Sequence, residues 1–352
     1  MAYTTINKST DYFNTKLYTG TGSSNAITGV GHQPDLVWIK ERTGTTNHFL
    51  HDAVRGVTKS LFPNLNVGED TNAQYLTAFG TDGFTVGTNG GINTNNNNYA
   101  SWNWKANGQG SSNTDGSINT TYTSVNTTAG FSISKYTGTS ANATVGHGLG
   151  VVPQVVLIKC TSRTENWAMY HKGLNASGAG TYIYLNNTDA AAGGGSNTSL
   201  FNNTAPTSSV FSLGADGATN DTQTYMAYCF AEKTGYSKFG KYTGTGNADG
   251  AFLYTGFKPA FVIFKRTSGT GGWIIHDNKR SESNGGNPLR KYLAAHNNSA
   301  EGTDDYFTID IVSNGFKLRS TDGESNSSGE TYVYMAFGQS LVGSNNIPCT
   351  AR

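Results

Sequence analysis

The sequence predicts an all-β protein of three tandem β-sandwich domains, jelly-roll or lectin-like in kind, and three observations lead to this prediction. The first is composition: 45 of the 352 residues are Gly, 12% are aromatic and only 13% are charged. Such a chain is poor in helix formers and rich in strand and turn formers. The second is that short apolar runs stand between clusters of Gly, Asn, Asp and Ser, as in sandwiches. The third is an internal repeat.

The repeat occurs three times and begins with a lysine followed by a Tyr-Thr-Gly motif. It continues through a Gly-x-x-Pro step into an apolar strand that ends in lysine. The motif occupies residues 16–20, 135–138 and 241–244, the Gly-x-x-Pro steps lie at 31–34, 150–153 and 256–259, and the strands end at Lys40, Lys159 and Lys265. Copies about a hundred residues long are the size of whole domains, and too long for solenoid units.

Further landmarks keep the same order in every copy. A histidine follows, in His51-Asp52, His171-Lys172 and His276-Asp277, and each copy closes on an aromatic strand at residues 99–104, 225–230 or 332–337. About seven short strands per copy suit one sandwich. The best helix candidate, residues 288–295, corresponds in copy 2 to residues 181–185, whose β-branched and aromatic content favours a strand.

These landmarks divide the chain into six predicted parts. The sandwiches are residues 16–106, 130–233 and 234–338, preceded by an N-terminal arm (1–15), interrupted by a polar linker (107–129) and followed by a C-terminal tail (339–352). The linker is rich in Gly, Ser, Asn and Thr, a composition typical of flexible segments. The connection at residues 232–235 is short, so we expect copies 2 and 3 to touch.

Bulk properties argue against several classes of function. Lys plus Arg is 24 and Asp plus Glu is 23, so a nucleic-acid partner lacks its electrostatic footprint. Residues 1–7 lack the pattern of a secretory signal, and no apolar run is long enough to span a membrane. Cys160, Cys229 and Cys349 are too few for a disulfide framework and unsuited to structural zinc. We expect no cofactor; calcium held by loop carbonyls stays open.

The histidine–aspartate pairs are the first candidate sites. His51-Asp52 and His276-Asp277 have the residue types of a general base and its orienting carboxylate. Adjacent residues of a strand point to opposite faces, however, and copy 2 has Lys172 in place of the acid. We therefore expect a structural role for the histidines, with hydrogen bonds across strands, and no enzyme activity. The lysines Lys40, Lys159 and Lys265 are interpreted as gatekeepers against strand pairing with other chains.

Aromatic and amide side chains are the candidate ligand contacts. Sugar-binding sandwiches stack pyranose rings on exposed aromatic rings, and amide-rich loop tips adapt their hydrogen bonding. The candidates for glycan contact are Asn95, Tyr99, Trp102, Trp167 and Trp273. Core packing is the competing explanation for most of the tryptophans, since they sit in repeat strands. Strict alternation places Trp102 and Trp104 on one face of a strand and Tyr99 on the other.

Several segments together resemble a known family. They are residues 12–20, 34–40, 51–56, 100–105, 131–138, 166–171, 205–211 and 225–232, and the C-terminal residues 345–352. These segments resemble repeat-containing virion proteins of marine tailed bacteriophages, often described as tail-fibre-like, and the resemblance extends from about residue 11 to 337. It implies a structural or host-contact part of a phage particle, and it carries no catalytic motif.

The resemblance and the repeat together predict a function. We expect a virion protein, made in the host cytoplasm, that acts as a tail fibre or similar appendage. Its repeated modules would bind host-surface glycan weakly and many times over, with other virion proteins as partners and a homotrimer suspected. One alternative is a capsid decoration or head-surface protein. Another is a polysaccharide-degrading tail enzyme, which needs a carboxylate pair facing a cleft. A bacterial lectin unrelated to phage is a third.

Overall fold

The computed structural model describes residues 4–175, 178–281 and 286–340 of the chain. The described residues are nearly all β, with several antiparallel sheets, and the predicted all-β sandwich class is confirmed. Helical structure within these residues is limited to single turns: α1 (Gly90–Asn93) and 3-10 turns at Ser9–Asp11 and Lys172–Leu174. The Gly, Asn and Thr content noted above supplies the turns between the strands.

Each copy contributes nine strands in the described residues. Copy 1 contains β1 (Phe13–Thr19), β2 (Asn25–Thr28), β3 (Leu36–Glu41), β4 (Phe49–Asp52), β5 (Lys59–Ser60), β6 (Asp70–Thr71), β7 (Leu76–Gly80), β8 (Gly83–Val86) and β9 (Asn98–Trp104). Copy 2 contains β10 (Tyr122–Asn126), β11 (Phe131–Thr137), β12 (Ala143–Gly146), β13 (Val155–Cys160), β14 (Ala168–His171), β15 (Thr181–Tyr184), β16 (Ala192–Gly193), β17 (Val210–Leu213) and β18 (Thr224–Phe230). Copy 3 contains β19 (Ser237–Thr243), β20 (Phe252–Tyr254), β21 (Pro259–Arg266), β22 (Trp273–Asp277), β23 (Lys291–Ala294), β24 (Gly302–Thr303), β25 (Ile309–Val312), β26 (Gly315–Leu318) and β27 (Thr331–Gly338).

The three copies share one strand order. The larger sheet of copy 1 runs β1-β9-β3-β4, and copies 2 and 3 repeat it as β11-β18-β13-β14 and β19-β27-β21-β22. A smaller outer sheet covers each larger one: β2-β8-β7 in copy 1, β12-β17 in copy 2 and β20-β26-β25 in copy 3. The equal order establishes which residues correspond between copies, because the register of each ladder is known.

The lysine-ending strand is apolar throughout because both of its faces are buried. In β3, Leu36 and Trp38 join a large core cluster, whereas Val37 and Ile39 join the core between the two sheets of copy 1. The equivalent strands of copies 2 and 3 divide in the same way. A strand that alternates between two cores needs an apolar side chain at every position.

The large core cluster is shared by all three copies, which surround a pseudo-threefold axis. Trp104, Phe230 and Phe337 occupy one register position in their copies. Their ring centroids lie 5.6, 6.0 and 6.4 Å apart. Three equivalent side chains that meet pairwise place the axis between them. The copies are therefore packed around one common core within a single chain.

The observed elements differ from the predicted boundaries at both polar segments. β1 begins at Phe13, inside the predicted arm, and Ile6 is buried in the common core. The predicted linker contains β10, which pairs with β11, and Ile118 packs in the core of copy 2. A few apolar residues within an otherwise polar segment are enough to pack that segment against the copies. The predicted tail lies outside the described residues from position 341 onward.

Candidate functional site

The tyrosine of the repeat motif holds a loop at the end of each larger sheet. Tyr18 stacks on Tyr99 with ring centroids 5.0 Å apart, and its hydroxyl donates to the carbonyl of Ile92 at 2.7 Å. Tyr99 in turn accepts a hydrogen bond from the backbone of Thr94 at 2.8 Å. The same arrangement recurs at Tyr136, Tyr225, Tyr242 and Tyr332. The motif is therefore a structural clamp.

A buried asparagine completes each clamp, and the sequence analysis missed it. Asn93 is fully buried; its Oδ1 accepts the backbone N–H of Thr21, and its Nδ2 donates to two backbone carbonyls. Asn220 and Asn326 make the same three kinds of bond in copies 2 and 3. The signal was present, because each asparagine precedes the first tyrosine of an aromatic strand by five or six residues.

The glycine of the motif permits the close approach that the clamp requires. A Cβ on Gly20 would lie 2.1 Å from the carbonyl oxygen of Thr94, and Gly138 and Gly244 meet the equivalent carbonyls at 2.0 and 2.1 Å. Beyond each glycine the chain is exposed, at residues 21–24, 139–142 and 245–249. Equivalent positions around the pseudo-threefold axis lie at one height, so the chain presents three clamped polar loop tips as a ring.

The histidine and the aspartate of each pair act separately. His51 donates from Nδ1 to the carbonyl of Lys59 at 2.8 Å, within copy 1. Asp52 is bonded to Arg55 at 2.6 Å and accepts the hydroxyl of Tyr228, in copy 2, at 2.8 Å. Burial lowers the pKa of His51 to about 4, so its ring stays neutral near neutral pH. The cross-strand histidine bond that the sequence suggested is present.

The position in copy 2 that corresponds to Asp52 and Asp277 is His171, and not Lys172 as the sequence predicts. The ladders place Asp52, His171 and Asp277 at one position, opposite Leu36, Val155 and Phe261 respectively. All three side chains reach a neighbouring copy: Asp277 accepts from Trp102 Nε1 at 3.0 Å, and His171 Nε2 donates to the carbonyl of Tyr334 at 3.2 Å. His171 lies one residue further from its lysine than His51 does, which concealed the true correspondence.

The residues that face Asp52, His171 and Asp277 from the neighbouring copy differ in step with these three residues. Where the acid is present, the facing copy supplies a donor, Tyr228 or Trp102; where His171 replaces the acid, the facing residue is Met335, which has no donor. The arginines that pair with the acids, Arg55 and Arg280, likewise correspond to Leu174 in copy 2. Buried polar groups need partners, so loss of one side of a pair is matched by loss of the other.

Two further closed rings of bonds join the copies. Side chains at one position donate to the carbonyl of a neighbouring copy: His48 to Ala294, Trp167 to Phe62 and Trp273 to Tyr184, at 3.1, 3.0 and 2.8 Å. Backbone N–H groups do the same: Glu69 to Thr161, Ala191 to Thr267 and Glu301 to Arg42, at 2.7, 2.9 and 2.9 Å. Each copy therefore bonds to both others.

Four of the five candidate glycan contacts lie inside the protein. Tyr99, Trp102, Trp167 and Trp273 are all 0% exposed, and the structure does not support a ligand role for them, because a buried ring offers no face to a sugar. Their polar atoms bind the loop clamp or a neighbouring copy instead. Asn95 alone is exposed, at the loop tip of copy 1. The expected opposite faces of Tyr99 and Trp102 are confirmed by their membership of different cores.

The exposed aromatic residues of the described chain all belong to copy 3. Phe252 and Tyr254 are 47% and 61% exposed on the outer strand β20, and Tyr306 is 64% exposed in a loop. Leu253 between the first two is buried, so Phe252 and Tyr254 face outward together. The ladder positions of Phe252 and Tyr254 carry Ala26 and Thr28 in copy 1, and Thr144 and Gly146 in copy 2.

The three strand-ending lysines are buried, and the gatekeeper interpretation is wrong. Each is 0% exposed, and β3 lies inside its sheet between β9 and β4, where no edge needs protection. Lys40 donates from Nζ to the carbonyls of Glu41 and Gly44, at 2.6 and 3.2 Å. Burial lowers the pKa of Lys40, Lys159 and Lys265 to about 8. The lysines hold the loop that follows each strand.

The described residues contain no group of His, Cys, Asp and Glu side chains arranged to hold a metal ion. Cys160 and Cys229 are buried free thiols, and burial raises the pKa of Cys229 to about 12; Cys349 lies outside the described residues. No helix in the described ranges is long and apolar enough to cross a membrane.

These features define an all-β protein in which one chain closes a ring of three copies. The chain belongs to the family described as Domain of unknown function (DUF7483), which it matches over residues 8–340. The match covers all three copies as one unit, in agreement with their common core. Neither the curated proteins nor the solved structures gave a match.

Proposed function

We propose that the protein is a structural component of a tailed-bacteriophage virion, a tail fibre or similar appendage that contacts glycan on the host surface. The observation that carries the proposal is the ring of three clamped loop tips on one rigid body. The resemblance of the repeat segments to virion proteins supports it. Loops of Thr, Ser, Gly and Asn suit polar contact, because their side chains adapt their hydrogen bonding.

Repetition within one chain makes weak contacts effective. When one loop binds a surface, the other two are held near it, and their effective concentration replaces diffusion from solution. The clamps keep the loops ordered before contact, which lowers the entropy lost on binding. Assembly of several chains would multiply the contacts further; the suspected homotrimer stays a prediction, and light scattering of the purified protein measures it.

The exposed aromatic pair of copy 3 adds a second kind of contact. Phe252 and Tyr254 lie side by side on an outer strand where the other copies have small residues. Aromatic rings exposed in pairs are suited to stacking on the apolar face of a sugar. Their restriction to one copy indicates that the pair serves something other than the shared fold.

The deciding experiment locates the chain in the phage particle. Immunogold labelling and cryo-microscopy of intact particles should place it on the tail, and antibody against it should block adsorption to host cells. Binding of the purified chain to host cells should fall at least tenfold in the variant Phe252→Ala/Tyr254→Ala, since two anchors of over 1 kcal/mol each are removed. The matched control Val57→Ala/Val67→Ala, which removes exposed apolar residues of copy 1, should bind normally.

A head-surface protein is the second candidate, and the pseudo-threefold axis is compatible with it. A chain with its own threefold shape fits a threefold position of a shell as well as the tip of a trimeric fibre. Label distributed over the capsid in many copies would replace the fibre proposal with this one. Binding to host cells without an effect of either aromatic residue would also count against the fibre proposal.

A polysaccharide-degrading tail enzyme is not what we propose. The acids it would need, Asp52 and Asp277, are buried at 0% and 1% exposure and bonded to arginines. A reducing-sugar assay on host polysaccharide tests this directly: release of sugar that is abolished by Asp52→Asn or Asp277→Asn would show an enzyme.

A further inference from the structure

A pocket of about 260 Å³ lies at the interface between copies 2 and 3. The side chains that line it include Leu174, Thr181 and Ala191 of copy 2, and Lys241, Thr267 and Thr331 of copy 3. Lys241 and Thr331 are exposed, and the three residues of copy 2 are half-buried. A ligand from solvent therefore reaches side chains of both copies.

A charged network occupies the equivalent positions at the other two interfaces. Beside copy 2, Glu69 of copy 1 pairs with Arg55 and Lys59, each at 3.3 Å. Beside copy 1, Glu301 of copy 3 pairs with Arg280 at 3.2 Å. The two glutamate side chains are only 19% and 10% exposed. Paired charges, packed between the copies, therefore fill these two interfaces.

Copy 2 has an uncharged residue at each position of this network. Leu174 stands at the arginine position, three residues after His171. The ladders place Thr181 at the lysine position, and the backbone bonds between copies place Ala191 at the glutamate position. These side chains are shorter than the charged ones that they replace. The pocket thus lies where the other interfaces hold a carboxylate and its cations.

Lys241 brings a cation to this pocket from copy 3. Among the described residues that line the pocket, Lys241 is the only charged one. It lies on the same face of β19 as Phe239, which is buried in the common core, so its side chain points toward the neighbouring copy. A Cβ on Gly173 of copy 2 would lie 3.2 Å from the Cβ of Lys241. The lysine stem is therefore held against copy 2.

The lining defines the chemistry of the ligand. The ammonium of Lys241 suits a carboxylate, and the hydroxyls of Thr181 and Thr331 donate to and accept from hydroxyls of a ligand. Leu174 and Ala191 offer apolar surface to one face of a ring. A volume just below the range of about 300–1,000 Å³ for drug-sized ligands suits a single ring. We propose that the pocket binds one uronic acid unit of an acidic glycan.

This proposal deepens the attachment function and rests on it for its biological meaning, but its binding test is independent. The full chain is titrated with the methyl glycosides of glucuronic acid and galacturonic acid, and with those of glucose and galactose, by saturation-transfer NMR. Each acid and its neutral counterpart differ only at the carboxylate. At least one uronide should bind, and its neutral counterpart should bind at least tenfold more weakly, because it has no charge to pair with Lys241.

Two variants test the pocket itself. Lys241→Met should weaken uronide binding about tenfold, since one charge-assisted hydrogen bond is lost. Ala191→Glu restores the side chain found at the other interfaces and should abolish binding, because it fills the pocket and repels the ligand. The matched control is Lys135→Met, at the position of Lys241 in copy 2, which should bind uronide normally. Circular dichroism checks the fold of each variant; if Ala191→Glu does not fold, Lys241→Met decides alone.

Three results would overturn the pocket proposal. They are the absence of binding by both uronides, equal binding of a uronide and its neutral counterpart, and equal binding of uronide by Lys241→Met and the unchanged protein. Sodium acetate serves as a further probe. Binding of acetate as tight as that of a uronide would show a site for any carboxylate and would overturn the assignment to a sugar.

The pocket proposal and the attachment function fail in different ways. Uronide binding by the pocket in a protein that labels the capsid would keep the pocket and remove the fibre function. Particles that adsorb through this protein, with adsorption unaffected by Lys241→Met and a protein that binds no uronide, would keep the fibre function and remove the pocket.

Discussion

The variant Asp277→Asn tests whether bonds between copies hold the ring together. Asp277 is 1% exposed, and its Oδ2 accepts Arg280 Nε at 2.6 Å and Trp102 Nε1, from copy 1, at 3.0 Å. Asparagine keeps the size and the Oδ1 acceptor for the backbone of Arg280 but removes the charge. Arg280, itself 1% exposed, would keep the carboxylate of Glu301 at 3.2 Å and the carbonyl of Ile275 at 2.9 Å as partners.

The expected cost is large because the cation stays buried. Removal of one partner of a buried ion pair costs about 3–5 kcal/mol, and the remaining contact with Glu301 places the value near the lower end. The matched control is Asp249→Asn, whose side chain is 72% exposed and bridges Lys317 and Arg319. An exposed ion pair contributes little to stability because solvent screens it, so Asp249→Asn should cost far less than Asp277→Asn.

Urea unfolding, followed by tryptophan fluorescence, measures both free energies of unfolding. Since Trp102 reports on the contact itself, circular dichroism is recorded in parallel. Equal costs for Asp277→Asn and Asp249→Asn would refute the reasoning.

A swap of three residues tests the same contact from the opposite direction. Trp102→Met/Asp277→His/Arg280→Leu introduces the set found between copies 2 and 3, namely Met335, His171 and Leu174. Because that set leaves no unpaired charge, the swap should be more stable than Asp277→Asn alone. If the triple variant is the less stable of the two, the correspondence of these positions is wrong.

Two further predictions concern the loop clamps and the buried histidines. Gly138→Ala should lower the free energy of unfolding by about 1–3 kcal/mol, because its Cβ would lie 2.0 Å from the carbonyl of Asp221; Gly323→Ala, with its nearest neighbour at 3.8 Å, should change it by less than about 0.5 kcal/mol, and an equal effect of the two would contradict the clamp. Burial lowers the pKa of His276 to about 3, so the unfolded chain binds a proton near pH 6.5 and the folded chain does not. The stability contributed by the neutral ring above pH 6.5 is therefore lost as the pH falls toward 3, by about 3 kcal/mol at pH 4. In His276→Asn, whose amide replaces the ring bond to Lys291, the curve of stability against pH should be flatter by this amount, and parallel curves would rule the histidine out.

The sequence predicts which side chains of a strand share a face, but it does not predict what each face packs against. The opposite faces of Tyr99 and Trp102 follow from local geometry, which every strand obeys. Whether Trp102 faces solvent, a ligand or a neighbouring copy depends on residues far away in the chain, such as Asp277. For this reason the tryptophans were named as candidate sugar contacts, although they lie at the centre of the molecule.

The correspondence of His171 with residues of the other copies was also not predictable from the sequence. Matching of letters aligned His171 with His51, whereas the ladder pairs it with the position of Asp52. The functional equivalence of a carboxylate and an imidazole becomes visible only when both are seen to reach across to another copy. The asparagines of the clamps, by contrast, recur at a nearly constant distance from a tyrosine and could have been found.

By itself the sequence determined the β class, the number of copies, the lysine-ending and aromatic strands of each copy and the glycine-dependent turns, because all of these depend on neighbours close in the chain. Only the tertiary structure decided that the copies close around one core and which buried polar groups pair across copies. Those outcomes depend on contacts between residues hundreds of positions apart, and burial, unlike alternation, is a property of the whole assembly of sheets.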